Sequence, residues 1–245
     1  MRVVIGAFAG LLLSAPPVSA VETYDQCLEL IAKDPRQAER EAGDWARFGG
    51  GGASARHCYA LALIEIGAPS KAIDELLGIA AEEASLTDPA RADVLVQAGE
   101  MLLDEGDDVT AGVVAEQALR LAPRNGAVLA LRAAVRIARG AYRDALTDLN
   151  EAINRDGPLP RLLLLRASAH RQSGALIEAR DDATYATELE PRMAEAWLER
   201  GRIEARIKDR DNARDSLLEA IALDRDGDIG KTAQNVLQRM EAGID

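Results

Sequence analysis

The chain has 245 residues, with 29 basic against 41 acidic side chains and a formal net charge of −12 at pH 7. So acidic a protein is repelled by phosphate backbones and anionic lipid surfaces, which argues against a nucleic-acid-binding or membrane-surface role. Aromatic residues make up only 3% of the chain against 48% hydrophobic residues overall, so its core must rest on alanine and leucine.

Residues 1–20 read as a targeting segment. Arg2 is a minimal basic region, and Val3 to Leu13 is an apolar run. That run is short of the ~20 residues a membrane span needs. Pro16-Pro17 breaks the helix, and Val18-Ser19-Ala20 suits a cleavage site of small residues. The expectation is a cleaved signal peptide, a mature chain from Val21, no membrane insertion after cleavage, and a periplasmic or secreted location. Two cysteines follow, Cys27 and Cys58. An even count in an oxidising compartment favours a disulfide, with two buried thiols as the alternative. Gly49 to Gly52 lacks the Lys-Ser/Thr of a phosphate loop and reads as a flexible turn.

From the middle of the chain onward one period dominates. Ala111, Ala145, Ala179 and Ala213 are each 34 residues apart, as are Ala118, Ala152, Ala186 and Ala220. Gly99, Ala133, Ala167 and Gly201 keep the same step, and so do Leu95, Leu129, Leu163 and Trp197. A fixed period of this length marks a helical repeat array, whose units bury their apolar faces only by stacking. Gly106, Gly140 and Gly174 fall where each unit must turn. Beyond Asp224 the period stops, and Lys231 to Ala242 reads as an amphipathic helix with Val236, Leu237 and Met240 inward.

These residues together resemble the tetratricopeptide repeat. Its pattern has a large residue at position 4, small residues at 8, 20 and 27, a large one at 24 and proline at 32. Frames from Ala92, Gly126, Pro160 and Ala194 fit it, with Pro123 and Pro191 at position 32. The resemblance implies an all-α, right-handed α-solenoid of helix-turn-helix repeats. A degenerate repeat occupies 21–52, a repeat with an insertion near Ser85 to Pro89 occupies 53–91, and full repeats occupy 92–125, 126–159, 160–193 and 194–227. A capping helix closes 228–245.

The sequence holds no catalytic constellation. His57 and His170 are the only histidines, and no metalloprotease, nucleophile-elbow or phosphate-loop motif is present. Asp224 to Asp228 alternates acids as a calcium loop does, but Ile229 and Asn235 stand where glycine and glutamate are needed. No cofactor, metal or enzymatic activity is expected. Arg132 and Arg166 recur with Asp148 and Asp182 at facing positions and read as ion pairs within repeats, worth about 0–1 kcal/mol each if partly exposed. The resemblance implies a binding groove lined by the first helix of each repeat. It places Ala130, Ala134, Ile137 and Leu164 on an apolar floor, Asp93, Glu100 and Asp104 at one end, and Arg161, Arg171, Arg202 and Arg206 at the other. The expected role is a protein interaction scaffold of the cell envelope holding a partner peptide or helix, with self-association into a homo-oligomer as the alternative.

Overall fold

The computed structural model describes residues 21–244, so the signal-peptide reading of residues 1–20 lies outside the described residues. The chain divides into two compact units, 1–75 and 76–245, with α4 (Pro69–Glu82) running across the division. Among the described residues every regular element is an α-helix, and none is long and apolar enough to cross a membrane.

The first unit holds α1 (Tyr24–Lys33), α2 (Pro35–Phe48) and α3 (Gly52–Glu65). Thr23 and Gln26 form a capping box that starts α1. Asp34 ends α1 and, by accepting a hydrogen bond from the Gln37 N–H at 3.0 Å, starts α2 without an intervening loop. Val21, Cys27, Ala42, Trp45, Ala55 and Cys58 make one buried cluster. The glycine run is not the free turn that its composition predicts. A Cβ on Gly51 would lie 2.4 Å from the Trp45 ring, so the glycines let the chain wrap closely over that indole.

The second unit continues with α5 (Asp88–Asp104), α6 (Asp108–Leu121), α7 (Gly126–Ala138), α8 (Tyr142–Asp156), α9 (Pro160–Ser173), α10 (Leu176–Leu189), α11 (Ala194–Arg206), α12 (Arg210–Leu223) and α13 (Asp228–Glu241). The helices form an all-α solenoid of helix-turn-helix pairs closed by α13. Each pair turns in the same way. A backbone N–H reaches back five residues to a carbonyl: Asp107 to Leu102 at 2.8 Å, Ala141 to Arg136 at 2.8 Å, Ala175 to His170 at 2.9 Å, Asp209 to Glu204 at 3.0 Å. This closure needs a left-handed residue just before the donor. Gly106, Gly140 and Gly174 supply it, and in the last pair Lys208 does, at φ 65°.

The periodic small residues sit where the helices of a pair meet. Ala133, Ala145 and Ala152 are fully buried with Leu129 and Leu149, and Leu162 and Ala169 of the next first helix close that layer. Ala167, Ala179 and Ala183 are closed in turn by Ile203 of α11. A Cβ on Gly201 would lie 2.7 Å from Leu217 Cγ, so the last pair needs a still smaller residue. The final layer has no further repeat to cover it. Ala233, Ile229, Val236 and Leu237 of α13 pack on Leu198 and Leu217 instead.

The insertion expected near Ser85 to Pro89 is built differently from a loop. It starts α5 at Asp88, a turn ahead of the Ala92 frame, with Thr87 capping the helix. Arg91 in that extra turn donates hydrogen bonds to the carbonyls of Ala80, Glu83 (2.6 Å) and Leu86 (3.3 Å), satisfying the end of α4 and the loop after it.

Candidate functional site

Three first helices, α5, α7 and α9, frame a cavity of about 400 Å³. Its floor is apolar because Ala130, Ala134 and Ile137 occupy the inner face of α7, joined by Leu165 of α9. Leu164, expected on this floor, packs instead toward the next layer beside the cluster of Leu163, Ala186 and Ala196. Neighbouring residues on a helix point to different layers, and in α9 the residue one step further on turns back to the cavity.

The charges of this cavity are not segregated as the sequence predicts. Arg161 of α9 pairs with Glu100 of α5, two repeats earlier, and the pair spans the cavity wall beside Asp104. Burial pushes the Glu100 carboxyl above its usual range; Arg161 opposes this and Asp104 adds to it. Asp93 stands apart, accepting a hydrogen bond from Asn125 at 3.0 Å. The cavity therefore offers an apolar trench edged by a cross-braced acid–base pair. Apolar side chains suit its floor, and a main chain or polar group suits the Glu100–Arg161 rim.

Arg171, Arg202 and Arg206 are not neighbours of Arg161. They line a second pocket, of about 640 Å³, with Lys208 and with Arg239 of α13. Ala205, Val236, Met240 and Ile244 are its apolar part. Glu199 holds Arg171 at 2.6 Å and approaches Arg202 at 3.7 Å. The Arg206 guanidinium donates to the Arg171 carbonyl at 3.4 Å.

Residues 194–226 match the family model of the tetratricopeptide repeat. That segment is a tetratricopeptide repeat, and the solenoid as a whole has the fold of such repeat arrays. No curated protein matches it in sequence. Among solved structures, a chain of the APC/C hetero-tetramer Cut9–Hcn1 is similar with a TM-score of 0.73 and 14% identity, over 89% of this chain and 42% of that one. Yeast Tom70 is similar with a TM-score of 0.66 and 16% identity, over 90% of this chain and 46% of that one. PilF of Pseudomonas aeruginosa is similar with a TM-score of 0.62 and 17% identity, over 87% of this chain and 95% of that one. The repeat protein thus spans less than half the length of the Cut9–Hcn1 and Tom70 chains. At these identities the likeness is one of fold.

Other polar residues of the solenoid serve its helix pairs. Asp148 accepts from Arg132 at 3.0 and 2.7 Å and also from Arg136. Asp182 accepts from Arg166 at 2.8 and 2.7 Å. Asp148 has a side chain only 3% exposed, so its pair is a buried network and not the partly exposed bridge that the sequence predicts. Hydrogen bonding to Asp148 raises the Arg132 guanidinium pKa. In the last repeat the network is rebuilt locally: Arg200 pairs with Glu204 at 2.8 Å, and Glu204 accepts from the Ser216 hydroxyl at 2.6 Å. Cys27 and Cys58 are buried on α1 and α3 at disulfide distance, with Cα atoms 6.3 Å apart. Beside them the Tyr24 hydroxyl meets His57 Nδ1 at 2.6 Å.

Proposed function

We propose that this tetratricopeptide-repeat protein is a non-catalytic interaction module of the cell envelope. Its partner lays an extended segment or a helix along the inner face of α5, α7 and α9. The observation that carries this reading is the cavity of about 400 Å³ whose floor is Ala130, Ala134, Ile137 and Leu165. The alanines there leave space between the three helices. An apolar concavity with a few polar groups at its rim suits a ligand that buries side chains and is oriented by its charges. The rim pair Glu100–Arg161 supplies that orientation in our reading. Removal of residues 1–20 on export to the periplasm fits with Cys27 and Cys58 at disulfide distance, since such a bond persists in an oxidising compartment.

The test is capture of partners from envelope extract by the mature chain and by Ala134→Arg, which fills the trench with a charged side chain. The wild-type chain should retain a partner that the variant loses while keeping its helicity. Equal capture by both would sink the groove reading. Mass that rises with protein concentration and falls in Ala134→Arg would assign the face to a second copy of the chain.

A further inference from the structure

The last repeat departs from the others at one backbone position. Gly67, Gly106, Gly140 and Gly174 hold the left-handed turn of their pairs, with φ between 74° and 91°. Thirty-four residues after Gly174 stands Lys208, at φ 65°, the one non-glycine residue with positive φ among the described residues. A lysine there is strained where glycine is not. Such a conformation persists where the surrounding structure holds it, and outliers of this kind gather at functional sites.

Lys208 projects an exposed side chain at the basic pocket beside α13. Four arginines share that pocket: Arg171, Arg202, Arg206 and Arg239. Glu199 is the carboxylate that neutralises any of them among the described residues, and it engages only Arg171 and Arg202. Arg206, Lys208 and Arg239 make no ion pair among the described residues. In a chain of net charge −12, gathering five cations around one acid opposes folding locally and complements an anion. The same pocket is lined by Ala205, Val236, Met240 and Ile244, apolar surface that a small inorganic anion would leave uncovered.

We propose that this pocket receives an acidic segment of a partner protein. A bulky apolar side chain of that segment rests on Val236 and Met240, and flanking carboxylates meet Arg206, Lys208 and Arg239. The site is separate from the cavity between α5, α7 and α9 and stands whether or not that cavity binds a partner.

The test uses the purified chain and a fluorescent peptide of alternating glutamate and leucine, followed by anisotropy at low and high salt. A lysine–leucine peptide is the charge control and inorganic phosphate the competitor. The glutamate–leucine peptide should bind at least about tenfold more tightly than its lysine counterpart, and salt should weaken it. Arg206→Glu with Arg239→Glu should reduce that affinity about tenfold or more with circular dichroism unchanged. Lys208→Gly, which folds at least as well, should weaken peptide binding while raising the melting temperature, a split that a purely structural lysine would not produce. Ala134→Arg should leave peptide binding intact. No binding, equal binding of the two peptides, displacement by phosphate at equal concentration, or an unaffected Arg206/Arg239 variant would overturn the proposal. Loss of peptide binding in Ala134→Arg would also overturn it, by moving the peptide to the other cavity. A concentration-dependent mass abolished by the double charge reversal would overturn it in favour of a second copy as occupant.

Discussion

The buried network around Asp148 allows a test in which two losses cancel. The Asp148 side chain is 3% exposed and accepts two hydrogen bonds from Arg132, itself 20% exposed, besides one from Arg136. Arg132→Ala removes a bidentate partner and leaves a buried carboxylate on Arg136 alone. Charge-assisted hydrogen bonds contribute about 1.5–3 kcal/mol, and stranding a buried charge outright costs about 3–5 kcal/mol. With Arg136 remaining, the expected loss is about 2–3 kcal/mol. Asp148→Val should cost somewhat less, because the two arginines reach solvent when released. The preceding repeat shows what can replace the pair: Ala98 and Val114 stand 34 residues before Arg132 and Asp148, and both are buried. Arg132→Ala combined with Asp148→Val recreates that apolar contact. The double variant should lie within about 1 kcal/mol of wild type, since exchanging a buried ion pair for packed apolar groups is often neutral. The assay is urea unfolding followed by helical circular dichroism, read as a double-mutant cycle. Coupling of about 2 kcal/mol is expected. Additive losses, with the double variant worst, would refute the view that the network matters mainly through desolvation.

Further outcomes follow from the same packing. Cys27 and Cys58 in oxidised protein should give no free thiol after denaturation, and their reduction should destabilise the chain by about 3–4 kcal/mol in the chain-entropy model; two reactive thiols would refute the bond. Ala145→Leu should cost about 1–3 kcal/mol by overpacking the contact within the α7–α8 pair, measured by thermal melting, whereas an unchanged melt would misplace that contact. Lys208→Gly should stabilise by about 1 kcal/mol by relieving the left-handed lysine, and a lower melting temperature would contradict its strain. Burial holds the His170 imidazole below its usual range against the pull of Asp182, with Arg166 reinforcing the shift and Glu178 opposing it; Nδ1 is buried without a hydrogen-bond partner. The fold therefore favours neutral His170, so its contribution is complete above about pH 6.5 and is lost as pH falls through the lowered folded value. Wild type should lose more stability than His170→Leu between neutral pH and pH 5, and parallel losses in urea titrations would refute the assignment.

The solenoid was legible because its packing is local. Ala133 and Ala145 meet within one helix pair, so their spacing records a contact directly, and Arg132 with Asp148 follows for the same reason. What escaped depends on how successive pairs stack. Glu100 and Arg161 are 61 residues apart, and only the rotation between repeats decides that α9 reaches α5. That rotation also assigns Leu165, and not Leu164, to the cavity. Arg171, Arg202 and Arg206 were recognisable as a basic group, but Arg239 joins them only through the docking of α13. The first unit carries few of the periodic residues, and the role of Gly51 against Trp45 depends on a close approach that composition does not encode. The sequence also carries the break in the row of turn glycines, at Lys208.

The proposed partner site on the inner face of α5, α7 and α9 can be tested in cells. The direct measurement places a photo-crosslinking amino acid at Ala134, and separately at Val113 of α6, which is 65% exposed and lies off the cavity. The protein is expressed in its native host and irradiated in intact cells. A discrete crosslinked partner is expected from position 134 and none from position 113. A partner captured from position 113 alone, or equally from both, would contradict the proposed site.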